Sequence, residues 1–151
     1  MEPELISQFV SYADAELGLS PLTLSAYEND CIRFAEFAAG LGVKLPDVGV
    51  DVLASYLQGL TMQGYSTATC LRYMLALQGF YGFLLMRGIV PANPVRALDL
   101  PKAEHKLPDV MTRESVVALL GSIPDSDRFA VRDRAILETF YASGLRVTEL
   151  V

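Results

Sequence analysis

Ser20-Pro21-Leu22-Thr23-Leu24-Ser25-Ala26-Tyr27-Glu28-Asn29-Asp30-Cys31-Ile32-Arg33-Phe34-Ala35-Glu36-Phe37-Ala38-Ala39-Gly40-Leu41-Gly42 is the stretch that settles the fold class. Within it Leu24, Tyr27, Cys31, Phe34, Ala38 and Leu41 step by 3, 4, 3, 4 and 3 residues, the spacing of one apolar face of an α-helix. Ser20 is a capping residue type, Pro21 has the fixed φ that suits the first helical position, and Gly40 and Gly42 close the helix. Upstream, Leu5, Phe9, Tyr12, Ala13 and Glu16-Leu17 keep the same rhythm over about four turns, ending near Gly18. Downstream, Asp51 is placed to cap a short helix carrying Leu53, Tyr56, Leu57 and Leu60, which ends before Gly64. Ser66 then opens a longer helix through Leu71, Met74, Leu75, Leu77, Phe80, Tyr81, Leu84 and Leu85 to Arg87-Gly88. Four helices in roughly 90 residues predict a small all-α bundle.

The composition then changes. Pro91, Pro94, Pro101 and Pro108 fall within eighteen positions, with Lys102, His105 and Lys106 among them. Proline at that density forbids continuous helix and predicts an extended linker. Beyond it Thr112 is expected to cap a helix through Val116, Val117, Leu119 and Leu120. A further helix runs from about Asp127 through Phe129, Ile136, Leu137 and Phe140 to Tyr141 and ends at Ser143-Gly144. Another begins at Thr148 and stops after Glu149-Leu150-Val151 with no cap, which predicts a piece of a longer chain. The expected organisation is a helical domain over 1–90, a proline-rich linker over 91–110 and the opening of a second domain over 111–151.

Composition narrows the function classes. Hydrophobic residues make up 52% and charged residues 20% of the 151, with a mean hydropathy of +0.32, which excludes a disordered chain. Two cysteines, Cys31 and Cys70, with a lone histidine, His105, cannot build a four-ligand zinc site. They suit a reducing compartment better than a disulfide scaffold. The acidic start Met1-Glu2-Pro3-Glu4 is no signal peptide, and Leu71 to Met86 is too short and too interrupted to span a bilayer, so a soluble cytoplasmic protein is expected. Acids outnumber bases 18 to 12, a net charge of −6, which argues against gripping nucleic acid by bulk charge. Residues 1–100 carry ten of those acids and five bases, and the first helix has acids and no base.

Few residues carry candidate chemistry. Arg146 follows Gly144-Leu145 and precedes Thr148, at a helix start where free N–H groups and a planar guanidinium favour phosphate oxygens. Its plainer reading is a surface arginine near a turn. Glu149, three residues on, can hold Arg146 or simply be a solvated helix-start carboxylate. Ser66, Thr67, Thr69 and Arg72 gather at one helix start, where hydroxyls and N–H groups can meet a phosphate backbone; capping by Ser66 with a solvated Arg72 is the alternative. Ser20, Thr23, Ser25 and Arg33 form a weaker version on the second helix. The aromatic residues and Cys31 fall on apolar stripes and read as core, and His105 as solvated. No glycine-rich phosphate loop, carboxylate pair or Ser–His arrangement is present.

Taken in order, these features resemble a family. Ser20-Pro21-Leu22-Thr23 with Tyr27, Asp30, Phe34 and Phe37, then Ser66-x-x-Thr69-x-x-Arg72 and Phe80-Tyr81, are similar to the core-binding domain of the tyrosine recombinases, the phage-integrase and Xer-type site-specific recombinases. Asn93-Pro94 and Leu107-Pro108 match that family's linker. Arg132-Asp133, Ala135-Ile136-Leu137-Glu138 and Tyr141-x-x-Gly144-Leu145-Arg146-x-x-Glu149-Leu150 resemble the stretch around its first catalytic arginine. The resemblance implies an all-α, SAM-like four-helix core-binding bundle followed by a linker and a truncated, mainly helical start of the catalytic domain. It also implies strand exchange on double-stranded DNA through a 3′-phosphotyrosyl link, by protomers assembled as a tetramer, with neither metal nor nucleotide cofactor. Arg146 then corresponds to the phosphate clamp and Glu149 to its support, while Ser20, Thr23, Arg33, Ser66, Thr67, Thr69 and Arg72 become DNA contacts. The family's lysine, His-x-x-Arg and nucleophilic tyrosine lie beyond its first arginine, so the parent is expected to be an enzyme and this chain alone inactive. The competing expectation is a non-catalytic helical module that docks a protein partner, which the acidic charge favours.

Overall fold

A computed structural model describes residues 2–101 and 110–150. Lys102, His105, Lys106 and Leu107-Pro108 lie outside the described residues. The helices are α1 (Glu2–Ala15), α2 (Pro21–Gly40), α3 (Val50–Met62), α4 (Thr67–Met86), α5 (Arg113–Gly121), α6 (Ala130–Ser143) and α7 (Val147–Leu150). Short 3-10 turns occupy Leu45–Asp47 and Pro94–Ala97, and there is no strand among the described residues. The all-α reading therefore stands. The chain divides into two compact units, Met1–His105 and Lys106–Val151.

The first unit is organised around α4, which buries Cys70, Tyr73, Met74, Ala76, Leu77, Phe80, Tyr81, Phe83 and Leu84. Positions so closely spaced cover most of the helix circumference, because α1, α2, α3 and the Pro94–Ala97 turn all pack on it. Phe9 of α1 is fully buried against α4, its ring 5.6 Å from that of Phe80 and 6.0 Å from that of Phe83. Truncating such a side chain to alanine costs about 3–5 kcal/mol. From α2, Cys31, Phe34 and Ala38 enter the core as the stripe predicts, and Phe34 meets Tyr56 of α3 edge-on at 5.1 Å. The stripe ends at Ala38. Leu41 caps α2 with its main chain and is 54% exposed, and Leu75 and Leu85 on the outer side of α4 are exposed too.

The helix starts follow local chemistry. Ser20, Ser66 and Thr112 each accept a hydrogen bond from the backbone N–H three residues on, and each pairs with the hydroxyl there, Thr23, Thr69 or Ser115. Asp51 is not the cap of α3. Gly49 takes that position and Asp51 sits inside the first turn, where its charge still suits the helix dipole. Likewise α6 starts at Ala130 rather than Asp127, whose carboxylate instead accepts the Phe129 N–H at 2.8 Å in the preceding turn. Gly144 ends α6 with φ +66°, a left-handed conformation that glycine adopts without strain.

The proline-rich segment is folded where it begins. Asn93 is buried, accepts the Val95 N–H at 3.1 Å and donates through Nδ2 to the Gln78 carbonyl of α4 at 2.9 Å. Val95 enters the core beside it. Proline excludes α-helix here, but a 3-10 turn with an asparagine cap uses the same residues compactly. The second unit is thin: α5 and α6 pack together, yet among its described residues only Ala130 is buried, and Val117, Val131 and Tyr141 are exposed.

Asn93 thus ties the chain end of the first unit to its central helix. Asn93→Ala leaves buried polar groups unpaired and is expected to lower stability by about 1–3 kcal/mol, read as a lower urea midpoint with unchanged slope. An unchanged midpoint would show that this tie carries no stability.

Candidate nucleic-acid interface

The helices α2 and α4 run antiparallel, which their cross-links show. Asp30 meets Arg72, and Arg33, one turn further along α2, meets Tyr65 and Tyr73 at the start of α4. Asp30 is buried, its side chain 5% exposed, whereas Arg72 remains 45% exposed. Arg72 Nη1 donates to Asp30 Oδ2 at 2.5 Å, and its guanidinium lies 4.6 Å from the Tyr73 ring centroid. Arg72 is therefore not a free surface side chain: it is held by a charge-assisted hydrogen bond below and a ring alongside.

Arg33 is held differently. Its Nη1 donates to the Tyr65 hydroxyl at 2.9 Å and the Tyr73 hydroxyl at 3.0 Å. Its Cζ is 5.9 and 5.5 Å from the two ring centroids, so it sits at the hydroxyl edges, where hydrogen bonding outweighs any face-on attraction. The two rings meet edge-on at 5.8 Å. Arg33 and Arg72 thus line one open concavity of about 560 Å³ with Asn29, Asp30, Glu36 and Tyr73.

The electrostatics match this arrangement. Burial pushes the Asp30 carboxyl above its ordinary 3.8, while the hydrogen bond from Arg72 and the charges of Arg72 and Arg33 pull it down without cancelling the effect. The Tyr65 hydroxyl, followed by the charges of Tyr73 and Tyr65, raises the Arg33 guanidinium further. Cys31 is pushed up to about 12 by burial and then by Asp30, so it is an inert thiol. Tyr56, whose buried hydroxyl has no hydrogen-bond partner among the described residues, is raised by burial too and stays a neutral phenol.

The expected contacts do not form one cluster. Ser66, Thr67 and Thr69 open α4 close to Arg33, although Ser66 and Thr69 spend one hydroxyl contact on each other. Ser20 and Thr23 start α2 at the opposite end of the bundle, about 20 Å along the helix from Arg33 at 1.5 Å per residue. In the second unit Arg146 precedes α7, and Glu149 accepts its backbone N–H at 2.7 Å and its Nη1 at 3.2 Å. This is the acidic half of a capping box, so Thr148 lies inside α7 instead of capping it. Arg146 is 83% exposed with its remaining donors uncommitted to Glu149. Sequence reasoning did not single out Tyr65 and Tyr73 as polar anchors; their spacing of eight residues on either side of a capping serine was the available signal. Among the described residues there is no group of three or more His, Cys, Asp or Glu suited to a metal, and no helix long and apolar enough to cross a membrane.

Comparison with known proteins bears on what this face is for. Residues 6–88 match the family described as phage integrase, N-terminal SAM-like domain. The chain belongs to the phage-integrase family of tyrosine recombinases. It is 36% identical over 151 residues to the tyrosine recombinase XerD of Pseudomonas aeruginosa, covering all of this chain and 51% of the relative. It is 38% identical over 155 residues to the tyrosine recombinase XerC of Pelobacter propionicus, with 99% and 51% covered. The chain therefore spans about half the length of the curated relatives it matches. An integrase from mycobacterium phage Brujita shares the fold with a TM-score of 0.60 at 22% identity, over 98% of this chain and 48% of the integrase. The resemblance read from the motifs and the all-α architecture both stand.

The raised Asp30 carboxyl sets a pH dependence. The native state binds this proton more tightly than the unfolded chain, so the contribution to stability is full below 3.8 and is lost as pH rises through the raised value. The stability of the wild type minus that of Asp30→Asn is therefore expected to fall with rising pH across that window in paired urea titrations. A difference that rises with pH would contradict the sign.

Proposed function

We propose that this chain is the DNA-binding segment of a site-specific tyrosine recombinase acting in the cytoplasm. The observation that carries the reading is the pairing of Arg33 and Arg72, each held across the α2–α4 interface, beside the hydroxyl-rich start of α4. Charged forks and helix-start donors are the groups that engage phosphate oxygens and so fix register on a duplex. The net charge of −6 is answered locally: α1 and α2 carry three acids each, but Asp30 of α2 is buried and paired with Arg72. Local presentation of two guanidiniums replaces bulk attraction.

In the whole recombinase the chemistry proposed is attack of a tyrosine on a backbone phosphate, giving a 3′-phosphotyrosyl link and a free 5′-hydroxyl that later attacks the partner duplex. Protomers would act as a tetramer on two duplexes. Arg146 would neutralise charge that grows on the non-bridging oxygens as the phosphorus is attacked, with Glu149 fixing its backbone and guanidinium together. None of the seven tyrosines stands where the family's nucleophile does, beyond Arg146, and Tyr56, Tyr73 and Tyr81 are buried in the bundle. The 151-residue chain is therefore expected to bind DNA without cutting it.

The domain reading that goes with this proposal is a core-binding domain over 1–90 and a catalytic domain entered after the proline-rich segment. The acidic α1 and the exposed apolar residues favour a second reading, a helical module that docks a protein.

Salt-titrated binding to duplex DNA separates the two. The wild-type chain is expected to bind at low salt with affinity that falls steeply as salt rises, and Arg72→Ala to flatten the logarithmic slope by about 0.9, the share of one phosphate. No binding at low salt would move the docking module ahead. In the full-length recombinase, Arg146→Ala is expected to slow cleavage about a hundred- to a thousandfold while DNA binding persists. Loss of binding with an unchanged cleavage rate would remove Arg146 from the phosphate.

A further inference from the structure

Asp30 is the one buried carboxylate of the described core, and it lies on the side of α2 that faces Arg72. An arginine carries five N–H donors, and Asp30 engages Nη1 alone, so the other donors of Arg72 stay available on a side chain 45% exposed. A free arginine must give up rotamer freedom when it binds a phosphate. Arg72, clamped by Asp30 and laid along Tyr73, has already lost much of it. Arg33 has the same property by another means, through the Tyr65 and Tyr73 hydroxyls.

We infer that Asp30 is a positioning residue for DNA binding, and that Tyr65 and Tyr73 play the same part for Arg33: together they hold two guanidiniums ready, one over the Tyr73 ring and one at its hydroxyl, as a two-point phosphate grip. The inference rests on the DNA-binding reading above. It makes an unusual demand on sign. Removing a carboxylate from a protein that binds a polyanion strengthens binding if only net charge counts. Positioning requires the reverse at Asp30.

Glu36 supplies the internal comparison, since it lines the same concavity without holding either arginine. The experiment measures affinity of the 151-residue chain for a duplex of arbitrary sequence across a salt series, for wild type, Asp30→Asn, Glu36→Gln, Arg72→Ala and the double variant Asp30→Asn/Arg72→Ala. Asp30→Asn is expected to weaken binding and to reduce the salt slope by up to 0.9, about the share of one phosphate. Glu36→Gln is expected to leave binding unchanged or tighten it. The double variant is expected to bind no more weakly than Arg72→Ala alone, because Asp30 acts only through Arg72.

Binding that tightens equally in Asp30→Asn and Glu36→Gln overturns the inference, as do additive losses in the double variant. If Arg72→Ala leaves the slope untouched, or the wild type does not bind at low salt, the DNA-binding reading itself fails and the inference goes with it. Should Asp30→Asn not fold, the double variant Tyr65→Phe/Tyr73→Phe decides: it removes both hydroxyls that hold Arg33, changes no charge and keeps the ring beside Arg72. A loss of slope matching Arg33→Ala supports the grip, and an unchanged slope overturns it.

Discussion

The antiparallel seam between α2 and α4 is the constraint on which the rest of the first unit depends. Burying α4 on nearly every side sets the core, and α2 is the neighbour whose apolar stripe, Cys31, Phe34 and Ala38, lies against it. Once that register is chosen, Asp30 falls opposite Arg72 and Arg33 opposite Tyr65 and Tyr73. The polar face is thus a by-product of apolar packing: the same helix that supplies Phe34 inward supplies Arg33 outward. A buried carboxylate paired with a half-exposed arginine is weak evidence for stability, since desolvation offsets much of the attraction. Its place at this seam fits the inferred role of fixing where a guanidinium stands.

This view accounts for how an acidic protein can present the binding surface proposed for it. Attraction of a polyanion can come from net charge or from a few donors held in the right place, and only the second is open to a chain with a charge of −6. The cross-seam links supply it without adding bases. The same logic holds on a smaller scale in the second unit, where Glu149 engages both the backbone and the guanidinium of Arg146. In both places an acid near the arginine organises it.

Much of the fold was legible because the signals were local. Ser20, Ser66 and Thr112 cap the helices expected of them, and periodicity identified Phe9, Phe34, Phe80 and Leu84 as core, because capping and burial act within one helix. Signals failed where two local choices competed. Asp51 and Gly49 could each start α3, and the glycine won; Thr148 and Arg146 could each start α7, and the Glu149 carboxylate settled it. The proline-rich segment correctly forbids α-helix, yet Asn93 folds it against α4 through one local hydrogen bond and one to Gln78 in the preceding helix. The candidate site was half legible for the same reason. Arg33 and Arg72 are visible as residue types, but their partners lie 32 to 42 positions away, and no periodicity within one helix reveals a partner on another.

Chemical-shift mapping of the isotope-labelled chain with duplex DNA tests the central claim most directly, because it reports which surface meets the duplex. The account predicts that perturbations concentrate on the Arg33 and Arg72 side-chain resonances and on amides of Asn29 to Arg33 and Ser66 to Tyr73, with α1 unmoved. Perturbations centred on α1, or on its apolar junction with α2 around Pro3, Ile6 and Ala39, would contradict it.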